Sequence, residues 1–417
     1  MAEDLILSVS GMRGVIGENL TPIIAVRYGC AFGTFLKDTA GADARRPRVC
    51  IGRDSRVSGQ MLMSAMTAGL CAVGVDVVDL GLVTTPGVGI MLREIGCNGG
   101  IVITASHNPL PYNGIKLLLS NGMAPPATTA ERIKRAFFDS RAAFVDSVHC
   151  GTVRASDETD QVHVARVLGT VNAAQIAVRK YRIVLDSVNG AGARSAKKLL
   201  AQLGCEVVAM NDEPTGLFAH GAEPIAANLV DLCGRVKREK ADLGFAQDPD
   251  ADRLAIVDEH GVYIGEEYTL ALAAKLIFSS GAGTAAANLS TSRMIDDIAQ
   301  RAGGRVLRTP VGEAHVASAM IEQGCVIGGE GNGGVIDLRV GPIRDSLVGM
   351  ALVLQLMAGT GKSVSGLVRE IGGYSMHKDK FAADTQQAQR IMQLAAEKFA
   401  GATANTSDGL RLDFPDG

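Results

Sequence analysis

Arg48-Val-Cys-Ile-Gly52 is followed by the polar loop Arg53-Asp-Ser-Arg56, a helical stretch over 58–73, and Asp76-Val-Val-Asp-Leu80. Short β-branched runs bounded by polar turns, with a longer helix-period segment between them, read as strand, loop, helix, strand. The same order returns in Arg182-Ile-Val-Leu185, Asp186-Ser-Val-Asn-Gly190, a helix through Leu203 and Glu206-Val-Val-Ala-Met210. It returns again in Ala286-Ala-Asn-Leu289, Ser290-Thr-Ser292, a helix over 293–301 and Arg305-Val-Leu-Arg308. A right-handed crossover makes each pair of strands parallel within one sheet. Three copies at domain-like spacing predict three similar α/β domains in tandem with mixed sheets.

Composition agrees with this reading and removes several classes. The chain has 417 residues, 47% hydrophobic, with 50 glycines, no Trp and 4% aromatics. Lys plus Arg number 41 and Asp plus Glu 44, a formal charge of −3, so no global field favours nucleic acid or anionic lipid. Few aromatics leave little to stack on single-stranded bases. The start, Met1-Ala-Glu-Asp4, lacks the positive region of a secretion signal. The longest apolar stretch, 347–357, is too short to span a bilayer. The eight cysteines, Cys30, Cys50, Cys71, Cys97, Cys150, Cys205, Cys233 and Cys325, form no CxxC pair. They read as buried free thiols of a cytoplasmic protein rather than a disulfide or zinc framework. The expected units are 1–150, 151–255, 256–367 and 368–417, with 151–159 as a connector. The last has a helix over 385–400 and the strand-like Asp408-Gly-Leu-Arg-Leu-Asp-Phe-Pro-Asp-Gly417. It reads as an incomplete α+β domain, because the sequence stops where a hairpin partner normally begins.

Three loops carry candidate chemistry. In Gly100-Ile-Val-Ile-Thr-Ala-Ser-His-Asn-Pro109, Ser106 falls just past the carboxyl end of a strand, where open α/β sheets present ligands. It suits a nucleophile or phosphoryl carrier, with His107 and Lys116 supplying a proton donor and positive charge; a serine capping a turn explains the pair equally. In Asp248-Pro-Asp-Ala-Asp-Arg253, three carboxylates alternate between two apolar strands. Convergent carboxylates repel, and a hard divalent ion such as Mg²⁺ relieves the conflict. Arg253 adds a fork that fits phosphate, while a solvated acidic turn is the alternative. A calcium EF-hand is excluded, since Arg253 stands where that loop needs glycine and the flanks read as strands. In Gly328-Gly-Glu-Gly-Asn-Gly-Gly334, Glu330 and Asn332 offer groups for sugar hydroxyls, though a Gly-rich turn also accounts for it. Gly359-Thr-Gly-Lys-Ser363 is not a nucleotide phosphate loop, because Leu356 occupies the required glycine and a helix precedes it. Asn189-Gly-Ala-Gly-Ala-Arg194 lacks the third glycine of the dinucleotide fingerprint.

Taken together and in this order, the loops resemble those of the α-D-phosphohexomutase family, which comprises phosphoglucomutases, phosphomannomutases and phosphoglucosamine mutases. Thr104-Ala-Ser-His-Asn-Pro109 is similar to its phosphoserine loop, Asp248–Arg253 to its metal loop and Gly329–Gly334 to its sugar loop. Ser10-Gly-Met-Arg-Gly14, Gly52-Arg-Asp-Ser-Arg56 and Thr309-Pro-Val-Gly312 are smaller matches. The resemblance implies a phosphoserine at Ser106, Mg²⁺ held by Ser106, Asp248, Asp250 and Asp252, and a hexose 1,6-bisphosphate intermediate and activator. It implies Arg13, Lys116 and Arg253 as phosphoryl-binding cations, His107 in proton transfer or positioning, and Gly312, Glu330 and Asn332 at the sugar. The implied substrate is a hexose phosphate, glucosamine phosphate ahead of mannose or glucose phosphate, with no nucleic acid or membrane partner and a monomer or homodimer. Three departures stand out: the phosphate-gripping loop expected after Asp416-Gly417 is not in the sequence, Glu313 replaces a His common in relatives, and Gly-Asn-Gly-Gly replaces Ser-Gly-His in the sugar loop. A sugar-phosphate phosphatase and a non-catalytic sugar-phosphate binder are the competing classes.

Overall fold

The computed structural model describes residues 5–8, 11–40, 45–377, 379 and 381–414. Residues 1–4, Val9, Ser10, residues 41–44, Lys378, Lys380 and the closing Pro415-Asp-Gly417 lie outside the described residues. The first unit contains β1 (Ile6–Ser8), β2 (Gly11–Val15), α1 (Pro22–Ala40), β3 (Arg48–Arg53), α2 (Gly59–Ala72), β4 (Asp76–Leu82), α3 (Thr85–Ile95), β5 (Gly99–Ile103), β6 (Tyr112–Leu119), α4 (Ala127–Phe138) and β7 (Val153–Ala155). Its seven-stranded sheet runs β1-β2-β6-β5-β3-β4-β7. The second unit contains α5 (Thr159–Leu168), α6 (Ala173–Ala177), β8 (Arg182–Asp186), α7 (Ala193–Gln202), β9 (Glu206–Met210), α8 (Val230–Glu239), β10 (Leu243–Gln247) and β11 (Leu254–Val257), with sheet order β11-β10-β8-β9. The third contains α9 (Glu267–Phe278), β12 (Thr284–Asn288), α10 (Met294–Arg301), β13 (Arg305–Thr309), α11 (Glu313–Gln323), β14 (Ile327–Glu330), β15 (Gly334–Ile336), α12 (Ser346–Thr360) and α13 (Val364–Ile371), with order β13-β12-β14-β15.

The repeat read from the sequence is a repeat of topology. In β4-β3-β5-β6, β9-β8-β10-β11 and β13-β12-β14-β15, the first three strands are parallel and the fourth returns antiparallel. The turn into that fourth strand is the β5–β6, β10–β11 or β14–β15 connection. These turns carry Ser106, the three aspartates and the Glu330-Gly-Asn332 segment. One structural position, used three times, delivers all three candidate loops.

The units differ in how they share a core. One hydrophobic cluster joins Val164, Ile183 and Leu199 of the second unit to Leu270, Ala285 and Ile295 of the third through Leu347–Met357 of α12. A helix apolar on nearly every face must be enclosed, and α12 is enclosed by both units. Among the described residues no single helix is long and apolar enough to cross a membrane. The C-terminal region is a small α+β element: α14 (Thr385–Lys398), started by an Asp384–Gln387 capping box, then the antiparallel pair β16 (Thr403–Asn405) and β17 (Arg411–Asp413).

Two of the expected boundaries, 255 and 367, fall inside elements, and the expected connector 151–159 holds a strand. β7 adds a parallel edge strand to β4, so 151–159 is not merely a connector; Asp76 anchors it by accepting bonds from the Thr152 N–H and hydroxyl at 2.8 and 2.9 Å. β11 continues past 255 to Val257, and α13 past 367 to Ile371. In each case a partner in space, not local composition, decides where the unit ends. The cysteines also need one correction. Cys30, Cys50, Cys97 and Cys325 are buried, but Cys71, Cys205 and Cys233 are half-buried and Cys150 is exposed on the surface turn preceding β7.

Leu352→Ala is expected to cost about 2–5 kcal/mol. Hydrogen exchange of β8 and of β12 is expected to accelerate together, because both contribute to the one apolar cluster that Leu352 of α12 helps to fill.

Candidate active site

The Ser106 turn is held from beneath by a buried arginine. Arg56 is among the largest fully buried side chains. Its Nη2 donates to the carbonyls of Ser106 (2.6 Å) and Asn108 (2.7 Å), and its Nη1 to those of Pro109 and Tyr112 (both 3.1 Å). Its Nε donates to Asp54, which also accepts the Thr104 hydroxyl at 2.6 Å. Thr104 Oγ1 in turn accepts the Ser106 N–H at 2.9 Å. This bracing holds Ser106 at φ 51°, a left-handed conformation that a non-glycine residue adopts only when its surroundings impose it. The hydroxyl is thereby presented outward, and Ser106 Oγ donates to Asp248 at 3.0 Å across the boundary between the first two units.

Asp248, Asp250 and Asp252 are buried, and one oxygen from each lies within 4.8 Å of the others. Ala251 between them has φ 57°. Asp250 Oδ2 accepts from Lys116 at 2.7 Å and from the Thr85 hydroxyl at 2.6 Å, and the Thr85 N–H reaches the Asp250 carbonyl at 2.9 Å. Asp252 Oδ2 accepts from Arg344 at 2.7 Å. Asp250 Oδ1 and Asp252 Oδ1 are buried without hydrogen-bond partners. Burial, then the charges of Asp252 and Asp250, push the Asp248 carboxyl well above the usual range. Burial opposes ionisation of Asp250 too, but Lys116 and the Thr85 hydroxyl overcome it and hold that carboxyl low. Burial likewise works against the charge on Lys116, which Asp250 and Asp252 outweigh, raising its ammonium pKa. The orphaned oxygens of the cluster suit a hard divalent ion.

Arg13 on β2 reaches the Asn108 side chain at 3.1 Å. Arg253 Nη1 lies 3.2 Å from Glu223, while its Nε is buried without a hydrogen-bond partner. His107 Nδ1 is 3.4 Å from Ser106 Oγ, and its Nε2 is 3.9 Å from Glu223. Burial, then Arg253, pushes the imidazole down to about 4, so it is neutral at pH 7. The third loop faces this group through Arg344, whose guanidinium bonds Asp252, Glu313 and Glu330. Glu330 also accepts from Asn288 at 2.7 Å and from the Gly312 N–H at 3.1 Å. Asn332 donates to Glu330 at 3.4 Å and leaves Oδ1 buried without a partner.

Ser106, His107, Lys116, Arg13, Arg253 and the three aspartates are thus brought together where the units meet, and Glu330, Asn332 and Gly312 join them through Arg344. In this arrangement the Gly312 N–H and Glu330 are committed to each other. Sequence reasoning passed over Arg56, Thr85, Glu223 and Arg344. Thr85 was within reach, because it follows β4 at a strand's carboxyl end, like the other loops. Arg344 lies beside Asp345, the N-cap of α12, and nothing in its local pattern marks it.

Models of phosphoglucomutase/phosphomannomutase α/β/α domains I, II and III match residues 5–143, 161–261 and 265–373. The chain belongs to the phosphoglucomutase/phosphomannomutase family. A phosphoglucomutase/phosphomannomutase of Thermococcus kodakarensis is 38% identical over 98% of this chain and 89% of its own length. A protein of Methanopyrus kandleri named "probable phosphoglucosamine mutase" is 37% identical over 98% of this chain and 88% of its own. The crystal structure of a phosphoglucomutase/phosphomannomutase family protein from Burkholderia thailandensis superposes with a TM-score of 0.83 at 29% identity, covering 98% of this chain and 89% of that one. Members of this family are phosphohexomutases, which are isomerases, and this chain is one of them.

Arg56→Met is expected to destabilise this mutase by about 3–5 kcal/mol in denaturant unfolding, because Asp54 would remain buried without its counter-charge. Pairing it with Asp54→Asn should recover part of the loss.

Proposed function

We propose that this chain interconverts the 6-phosphate and 1-phosphate of a hexose through a phosphoserine at Ser106, with glucosamine phosphate as the preferred substrate. One observation carries the reading. A serine hydroxyl from the first unit, fixed in a strained turn, lies 3.0 Å from a buried aspartate trio of the second. The names of relatives such as the Methanopyrus kandleri protein favour the amino sugar.

The residues fit Mg²⁺: Asp248, Asp250 and Asp252, together with an oxygen on Ser106, offer a hard, anionic donor set with two orphaned oxygens. When bound, the ion neutralises charge on the transferring phosphoryl oxygens. The protein's own groups do the rest. Arg13, Lys116 and Arg253 hold phosphoryl oxygens. As the Ser106 Oγ–phosphorus bond breaks and the sugar O–phosphorus bond forms, His107, 3.4 Å from Ser106 Oγ, takes the proton of the attacking sugar hydroxyl and passes it to the departing Ser106 Oγ. The resulting hexose 1,6-bisphosphate, turned end for end, returns its other phosphoryl group to Ser106 Oγ. Glu330 and Asn332 hold the ring in both orientations; the unpartnered Asn332 Oδ1 accepts a ring hydroxyl.

Incubation of the protein with glucosamine 6-phosphate, Mg²⁺ and a trace of the 1,6-bisphosphate is expected to give the 1-phosphate, with one phosphoryl group mapped to Ser106 by intact mass and peptide analysis. Release of inorganic phosphate without isomerised sugar would indicate a phosphatase instead. Binding that survives Ser106→Ala, with no phosphate on the wild type, would indicate a sensor. Ser106→Ala should lower kcat by roughly 10³-fold or more. Asp250→Asn should raise the Mg²⁺ concentration needed for half-activity by about 10–100-fold, and chelation should abolish turnover.

A further inference from the structure

Beside the sugar loop stands a carboxylate that the reaction above does not use. Glu313 opens α11 immediately after Gly312, whose N–H is bonded to Glu330. Its Oε2 accepts from the Arg344 N–H (3.0 Å) and Nε (3.1 Å). Its Oε1 has no hydrogen-bond partner among the described residues, and its side chain keeps 24% of its exposure. Burial pushes its carboxyl upward, while Arg344 pulls it down and Asp252 raises it again.

The charges here are unevenly placed. Glu313 and Glu330 share one guanidinium, and Arg344 also answers Asp252. The sugar-loop wall of the crevice is therefore short of positive charge. Lys116 also faces Glu313 but is engaged by Asp250 and Asp252, while Arg13 and Arg253 stand on the first and second units. A ligand with a phosphate at one end and a cation on its ring complements both these arginines and the sugar-loop wall. A neutral hexose phosphate satisfies only one, and leaves the free Glu313 oxygen to lose water without a charged partner.

We propose that Glu313 is the specificity-determining residue, and that its free Oε1 accepts a charge-assisted hydrogen bond from the 2-ammonium of a 2-amino-2-deoxyhexose phosphate. This deepens the mutase reading and rests on it. An amine flanked by electron-withdrawing carbons titrates near the α-amino range of about 8, so it is largely protonated at pH 7. Arg344 is then the positioning residue that turns the other carboxylate oxygen away and leaves Oε1 facing the ring.

The test is kcat/KM for glucosamine, N-acetylglucosamine and glucose phosphates with wild type, Glu313→Gln and Glu313→Asp. Wild type is expected to favour glucosamine phosphate. Glu313→Gln should lose about 10–100-fold on it, the scale of a hydrogen bond to a charged group, and change little on the other two, which bear no ammonium. Glu313→Asp, which keeps the charge, should retain much of the preference and shows that the loss is not misfolding. An equal fall on all three sugars would overturn the assignment, making Glu313 a support for Arg344 only. Wild-type turnover of glucose phosphate without glucosamine phosphate would overturn it too, leaving the mutase reading intact. No turnover of any sugar phosphate would remove both.

Discussion

Everything in the crevice depends on keeping three buried carboxylates together. Asp248, Asp250 and Asp252 sit where water is excluded, and like charges at this spacing are costly there. The fold answers with groups drawn from all three units: Lys116 and the Thr85 hydroxyl from the first, the Arg253 N–H from the second, Arg344 from the third. That requirement fixes how the units meet. Thr85 contacts Asp250 by both backbone and side chain, so the start of α3 is tied to the trio.

The units are not equally free. The second and third are welded by α12 into one apolar interior. The first has clusters of its own and is joined to the others by apolar as well as polar contacts: Ile90 lies in the shared interior, Met123 packs with the third unit, and Ile343 and Val162 pack against the first unit's side. The 3.0 Å contact of Ser106 with Asp248 is one of the polar links across that boundary. On the other side Arg344 ties the trio to Glu313 and Glu330, so the sugar loop senses the state of the carboxylates through one guanidinium.

The repeated strand-loop-helix-strand units, their parallel strands and the three loops could be read along the chain because each is local: a short apolar run, a turn former, a helix-period stretch. The meeting of Ser106 with the aspartates was legible only through the conjunction of loops and their family resemblance, since 142 residues separate Ser106 from Asp248. What stayed hidden was the bracing. Arg56 makes its bonds to carbonyls of a turn about fifty residues away, and main-chain acceptors leave no mark on side-chain pattern. β7 was missed because a three-residue edge strand, Val153–Ala155, carries no alternation of its own and is defined by its neighbour β4.

The return turn into the antiparallel strand recurs in every copy, yet no copy carries a complete set of reactive groups. One offers a hydroxyl, one a carboxylate trio, one an amide beside an acid. Because the strand order around the turn is the same in each copy, the loop can differ without altering its scaffold. The copies are mutually dependent in return: a centre divided among three turns can be altered piecemeal, but no single unit holds it.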